Sequence, residues 1–178
     1  LALIPPVPKK DLSRSYLESL EPGTYLLTGR PSIEVMKSLP KFKDGKAEVG
    51  LTCIKGKWFI TLSKELIMRL PYALKAVEND GIFQADMHSH PGDDPGSEQP
   101  SDDDIQELNS TIDGKNYIIA NGGLLEFKKP TNLPGGENLL HSKKAWSHWI
   151  RVDLKLDEAG YNQIGGWELK KQFYEKFF

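Results

Sequence analysis

With 178 residues, the chain is long enough for one domain around a single core and short for two. Its 38% apolar and 27% charged residues are ordinary globular usage and exclude collagen-like, coiled-coil and largely disordered chains. The net charge of −2, from 23 basic and 25 acidic residues, gives no footprint for duplex nucleic acid or an anionic membrane surface. No run approaches the roughly 20 apolar residues of a membrane helix. Residues 1–8 lack a charged start and carry three prolines, so no signal peptide is expected, and the expected site of action is cytoplasmic. The lone Cys53 rules out an internal disulfide and a cysteine-rich zinc site. Leu1 in place of Met, ahead of a proline- and lysine-bearing linker over 1–10, gives the expectation of a piece cut from a longer protein, such as an effector or toxin.

In chain order, Leu12, Tyr16, Leu17 and Leu20 recur at helical spacing until Pro22-Gly23 stops them. A strand is expected over 24–28. Ser32 caps a short helix with Ile33, Val35, Met36 and Leu39, ended by Pro40. Residues 47–54 have period two, with Ala47, Val49, Leu51 and Cys53 on one face and Glu48, Gly50, Thr52 and Ile54 on the other. A Lys55-Gly56 turn leads to a hairpin partner at 57–62. Residues 66–77 read as helix around a break at Pro71, stopped by Asn79-Asp80-Gly81. Residues 82–90 alternate, with Phe83, Ala85, Met87 and Ser89 facing one way and Ile82, Gln84, Asp86, His88 and His90 the other. After a Pro/Gly/Asp-rich loop a helix opens at Ser101 with a buried stripe of Ile105, Leu108 and Ile112. Residues 115–128 read as two strands hinged at Asn121-Gly-Gly123. Beyond Pro130 the pattern offers a helix with Trp146, Trp149 and Ile150, a strand with Val152, Leu154 and Leu156, and a terminal helix with Trp167, Phe173 and Phe177. Interleaved strands and helices make the class mixed α/β or α+β.

The chemistry concentrates between His88 and Ile105. Two histidines at i and i+2 converge only on a strand, because on a helix they point about 200° apart. The alternation over 82–90 supplies the strand and sets both imidazoles on its polar side, facing a cleft. Two imidazoles, one carboxylate and a water form the open four-coordinate site of a hydrolytic zinc enzyme. Asp102, Asp103 and Asp104 are the acidic candidates. Helix geometry turns Asp103 away from the buried stripe and leaves Asp102 and Asp104 flanking it.

Glu48, His88-Ser89-His90-Pro91 and Ser101-x-x-Asp104 together resemble the signature of the JAMM or MPN-type metalloproteases, also called JAB domains. The likeness covers about residues 32–128. It implies an MPN-like, mostly antiparallel central sheet flanked by helices over 11–129, with 130–178 as a C-terminal extension packed on the same domain. It also implies zinc held by His88, His90 and Asp104, Glu48 as general base, and Ser101 stabilising the oxyanion. The implied substrate is a lysine isopeptide of ubiquitin or a ubiquitin-like protein. Thirteen residues separate His90 from Asp104, more than is usual in that family, so the loop 92–99 is enlarged.

The rival readings are a catalytically silent MPN-type scaffold and a metal-dependent hydrolase acting on nucleic acid. The intact histidine pair and Glu48 weigh against the first, and the acidic balance against the second. Glu34, Glu65 and Glu78 are assigned to the surface, Cys53 to the core, and His141 and His148 to surface or packing roles.

Overall fold

The computed structural model describes residues 4–67, 70–78, 80–91, 99–121, 123–129 and 149–164. Among them one sheet of seven strands runs in the order β1-β3-β2-β4-β5-β6-β7: β1 (Gly23–Leu26), β2 (Val49–Ile54), β3 (Lys57–Leu62), β4 (Ala85–Ser89), β5 (Lys115–Ala120), β6 (Gly123–Lys128) and β7 (Ile150–Leu154). Every pairing is antiparallel except β4 with β5, which is parallel. A parallel neighbour needs a crossover, and here the crossover carries α4 (Asp102–Gln106) followed by a 3-10 turn (Glu107–Asn109). The class is therefore mixed α/β with a mostly antiparallel sheet.

Both faces of the sheet are covered. On one, Val49, Leu51, Trp58, Ile60, Met87 and Tyr117 pack against Leu17 of α1 (Arg14–Ser19), Met36 of α2 (Ile33–Ser38) and Phe42 of the 3-10 turn Leu39–Gly45. On the other, Ile54 and Phe59 meet Leu74 of α3 (Tyr72–Glu78), while Ile118, Leu125 and Phe127 meet Ile105 and Leu108 of the crossover. Cys53 is buried on the first face. Double coverage explains why β2 and β4 are buried at every position although their sequences alternate.

Residues 149–164 belong to the same core. β7 pairs with β6, and Leu156 and Ile164, the latter directly after α5 (Glu158–Gln163), are buried with the first cluster. Tyr161 donates to the Pro31 carbonyl at 2.6 Å and its ring lies under the Arg30 guanidinium. The segment expected as linker also takes part: Ile4 and Val7 are largely buried, and Pro6 bridges to Leu26, covering the outer edge of β1.

Several element expectations are corrected. The first strand ends at Leu26. Residues 66 and 67 are not helical, and α3 begins only after Pro71, whose ring disfavours helix at the residue before it. The crossover helix stops at Gln106 and Ile112 is half exposed, because the backbone of 110–112 pairs instead with Phe83. Of the helix expected with Trp146, Trp149 and Ile150, Trp146 lies outside the described residues, whereas Ile150 opens β7 and pairs with Lys128 of β6; the terminal helix with Trp167, Phe173 and Phe177 lies outside the described residues. Among the described residues no helix is long and apolar enough to cross a membrane.

If the C-terminal segment shares the core, Ile164→Ala destabilises the whole domain by about 2–5 kcal/mol. Urea unfolding then shows one transition at a lower midpoint; an unmoved midpoint would place this segment outside the cooperative unit.

Candidate metal centre

The site is built by the β2–β4 register. Gly50 pairs with His88, and the same register carried two residues further sets Glu48 across from His90, on one face of the sheet. Ser89, between the histidines, is fully buried and its Oγ accepts the Val49 N–H at 2.9 Å, stitching the end of β4 to the start of β2. The His90 N–H donates to the Ile119 carbonyl at 2.9 Å and holds the second histidine beside β5.

The third member comes from the crossover. Ser101 caps α4 in a reciprocal capping box: its Oγ accepts the Asp104 N–H at 3.1 Å and its own N–H donates to Asp104 Oδ2 at 2.8 Å. That same Oδ2 lies 3.2 Å from His88 Nε2 and 3.3 Å from His90 Nε2, and the two Nε2 atoms are 2.9 Å apart. Asp104 is thus the acid that meets the histidines. Asp102 and Asp103 are exposed, with Asp103 on the cleft rim.

His88, His90 and Asp104 form a group that could hold a metal ion. A regular tetrahedron of ligands about 2.0–2.1 Å from zinc has edges of roughly 3.3–3.4 Å, and the three donor atoms already stand at 2.9 to 3.3 Å. Two neutral imidazoles and one carboxylate, with a fourth position left open, are also the donor set of catalytic rather than structural zinc. The residues fit the ion.

They border a cleft of about 370 Å³ lined also by Glu48, Leu66, Ile67, Ser101, Asp103 and Glu107. Both histidines face this cleft, as the alternation implied, but that side of the sheet is covered. His88 is buried and His90 only partly exposed, because α4 and its 3-10 turn roof this side of the sheet.

Around the histidines stand further carboxylates that sequence reasoning missed, Asp86, Glu78 and Glu107. Asp86 is buried two residues before His88 and accepts from Thr52 Oγ1 and Ser110 Oγ, each at 3.3 Å. Glu78, expected at the surface, is 3% exposed and paired with Lys75 at 2.7 Å. Glu107 stands three residues after Asp104, so i,i+3 helical spacing was the available signal. Glu34 and Glu65 are exposed as expected.

Burial lifts the Asp86 carboxyl to about 7, with His88 and its hydrogen bonds opposing and Glu78 adding to the rise. Burial, with the charges of Asp86 and Glu78, lifts Glu107 to about 8 against the pull of His88. For His88 burial works against the charged form, but its hydrogen bond to Asp104 and the charges of Asp104, Glu48 and Glu107 outweigh it and lift the imidazole to about 9. Burial would raise Asp104; hydrogen bonds from both histidines and from the Ser101 N–H hold its carboxyl well below the usual range.

Compared with known proteins, the chain matches no family model, no curated protein and no solved structure.

Two outcomes follow from this geometry. Asp104→Asn sharply weakens zinc binding in a metal titration, whereas Asp102→Asn, exposed in the first turn of α4, leaves it unchanged and alters stability by at most a few tenths of a kcal/mol through the helix dipole. Selective loss in Asp102→Asn would reassign the acidic ligand.

The second outcome concerns pH. His88, Asp86 and Glu107 all have folded values above their unfolded ones, so each stabilises fully below its unfolded value and loses that contribution as pH rises through its folded value. The windows run from 6.5 to about 9 for His88, 3.8 to about 7 for Asp86, and 4.5 to about 8 for Glu107. The urea midpoint of the metal-free protein, held in chelator, accordingly falls between about pH 6 and pH 9. A midpoint that rises over that range would contradict the assignment.

Proposed function

We propose that this protein is a zinc-dependent isopeptidase of JAMM type that hydrolyses lysine isopeptide bonds in conjugates of ubiquitin or a ubiquitin-like protein. The observation that carries the hydrolytic part is the triangle of His88 Nε2, His90 Nε2 and Asp104 Oδ2, 2.9 to 3.3 Å on a side, in a cleft that also holds Glu48. Support for the isopeptide comes from the likeness of Glu48, His88-Ser89-His90-Pro91 and Ser101-x-x-Asp104 to that family's signature.

A zinc ion held by His88, His90 and Asp104 would supply Lewis acidity and bring the pKa of water to about 7. Each residue of the chain then has a distinct task. Asp104, oriented by its own cap, brings the negative charge to the ligand set. Glu48, directly before the neighbouring strand β2 and outside that set, takes the proton of the attacking water and passes it to the leaving amine. Ser101 Oγ already accepts the Asp104 N–H, which leaves its hydroxyl hydrogen to donate to the developing oxyanion. The roof of α4 limits water around the reacting atoms and strengthens these interactions.

The test is cleavage of a panel of lysine-linked ubiquitin conjugates, with and without a chelator. Chelation is expected to abolish cleavage and zinc to restore it. Glu48→Gln should keep its zinc and lose roughly 10²-fold or more in turnover, while Glu34→Gln changes neither. Purified protein that takes up no zinc would favour the scaffold reading, and zinc-dependent cutting of nucleic acid without any conjugate cleavage would favour the nuclease.

A further inference from the structure

Among the described residues the exposed large apolar side chains are Leu66, Ile67 and Ile112, at 54%, 57% and 50%. Two of these three stand side by side on the wall of the cleft that holds His88, His90 and Glu48. They fall after β3 and before α3, and they belong to none of the three core clusters. Neither strand alternation nor helix amphipathicity therefore requires apolar residues there. A single exposed leucine is unremarkable, but an adjacent apolar pair at the mouth of a polar cleft is how a binding contact is built.

Their position relative to Glu48 is fixed by backbone hydrogen bonds. The Glu48 N–H donates to the Glu65 carbonyl and the Ser63 N–H to the Glu48 carbonyl, each at 3.1 Å, so Leu66 directly follows the residue to which Glu48 is tied. Elsewhere the cleft lining is polar, with Ser101, Asp103, Asp104 and Glu107.

In the hydrolysis described above the amide C–N bond breaks, the water oxygen bonds to the acyl carbon, and the nitrogen takes up protons, giving a carboxylate and an ammonium. Where Glu48 carries the proton from water to nitrogen, the nitrogen departs within reach of its carboxylate, on the Leu66–Ile67 side. Behind a lysine nitrogen trail four methylenes, an apolar stem that gains from burial. Resting on the isopeptidase reading, we propose that Leu66 and Ile67 are specificity-determining residues that bind the aliphatic stem of the leaving lysine. They distinguish it from an α-amine, whose nitrogen sits on a branched carbon beside polar backbone.

The test uses ubiquitin amidated at its C-terminal glycine with ethylamine, butylamine or hexylamine, cleaved by the zinc-loaded protein and by the Leu66→Ser/Ile67→Ser double variant. From ethyl to butyl, kcat/KM of the wild type should rise roughly 15-fold, mainly through KM, as expected for two buried methylenes. The double variant should keep its zinc while losing the dependence on length, and Leu66→Met/Ile67→Leu should retain that dependence. In the metal-free protein, the methyl NMR resonances of Leu66 and Ile67 should shift when the hexylamide is added. A wild type indifferent to length, a double variant that keeps the dependence, or unmoved methyl resonances each overturn this inference and leave the hydrolase reading standing. Failure of the zinc-loaded wild type to cut any of the three amides overturns the isopeptidase reading and this inference with it.

Discussion

The pairing of β2 with β4 in one register is the constraint on which the site depends. With Gly50 opposite His88, a residue without a side chain faces the buried imidazole, and Glu48 comes to the height of His90. A slip of one residue would move Glu48 to the opposite face of the sheet. Two features oppose such a slip. The hairpin of β2 with β3 is fixed at Lys55-Gly56, both in left-handed backbone, a conformation that favours glycine. The β4 end is fixed by Ser89, whose buried hydroxyl takes the Val49 N–H that the ladder would otherwise have to satisfy.

Around that frame stand several carboxylates. Asp104 and Glu107 line the cleft with His88, while the buried Asp86 lies within charge range of His88 and Glu78 within that of Asp86. Buried carboxylates at this density repel one another. The fold accommodates them by hydrogen bonds to Thr52 and Ser110, by the ion pair with Lys75, and by proximity to a histidine that favours its proton. A divalent cation against His88, His90 and Asp104 would relieve the same repulsion. Holding such an ion would require His88 without its proton, so metal and proton would compete for one position.

The alternation over 82–90, the i,i+2 histidines and the Ser101 cap were legible because each depends on neighbours in the chain. What could not be read depends on contacts between distant segments. The apolar spacing of Leu66, Ile67 and Leu70 imitates a helix, but Leu66 and Ile67 line the cleft outside the core clusters, and Leu70, just before Pro71, packs against the cluster that holds Leu74 without being helical itself. Ile112 continues the period of Ile105 and Leu108, yet the Ser110 hydroxyl and the backbone of 110–112 are claimed by Asp86 and Phe83. The burial of Glu78 and the partial burial of Glu107 depend on how α3 and the crossover pack in space, which no local pattern announces. Helix geometry alone leaves Asp102 and Asp104 equivalent, and it takes the packing of the crossover to bring Asp104 Oδ2, and not Asp102, within 3.2 and 3.3 Å of the two imidazoles.

The capping box has one more consequence, for how such a site tolerates change in chain length. Asp104 is aimed by Ser101, three residues before it, and not by the connection that joins His90 to the helix. The cost of closing a loop grows slowly, by about 0.6 kcal/mol for each doubling. Residues can therefore be added between Pro91 and Pro100 at little cost, while α4 docks through Ile105 and Leu108 and carries its carboxylate to the same place. A longer spacing from the second histidine to the aspartate thus coexists with contacts of 3.2 and 3.3 Å, and insertions in this connection can diversify the cleft mouth while the ligand triangle stays fixed.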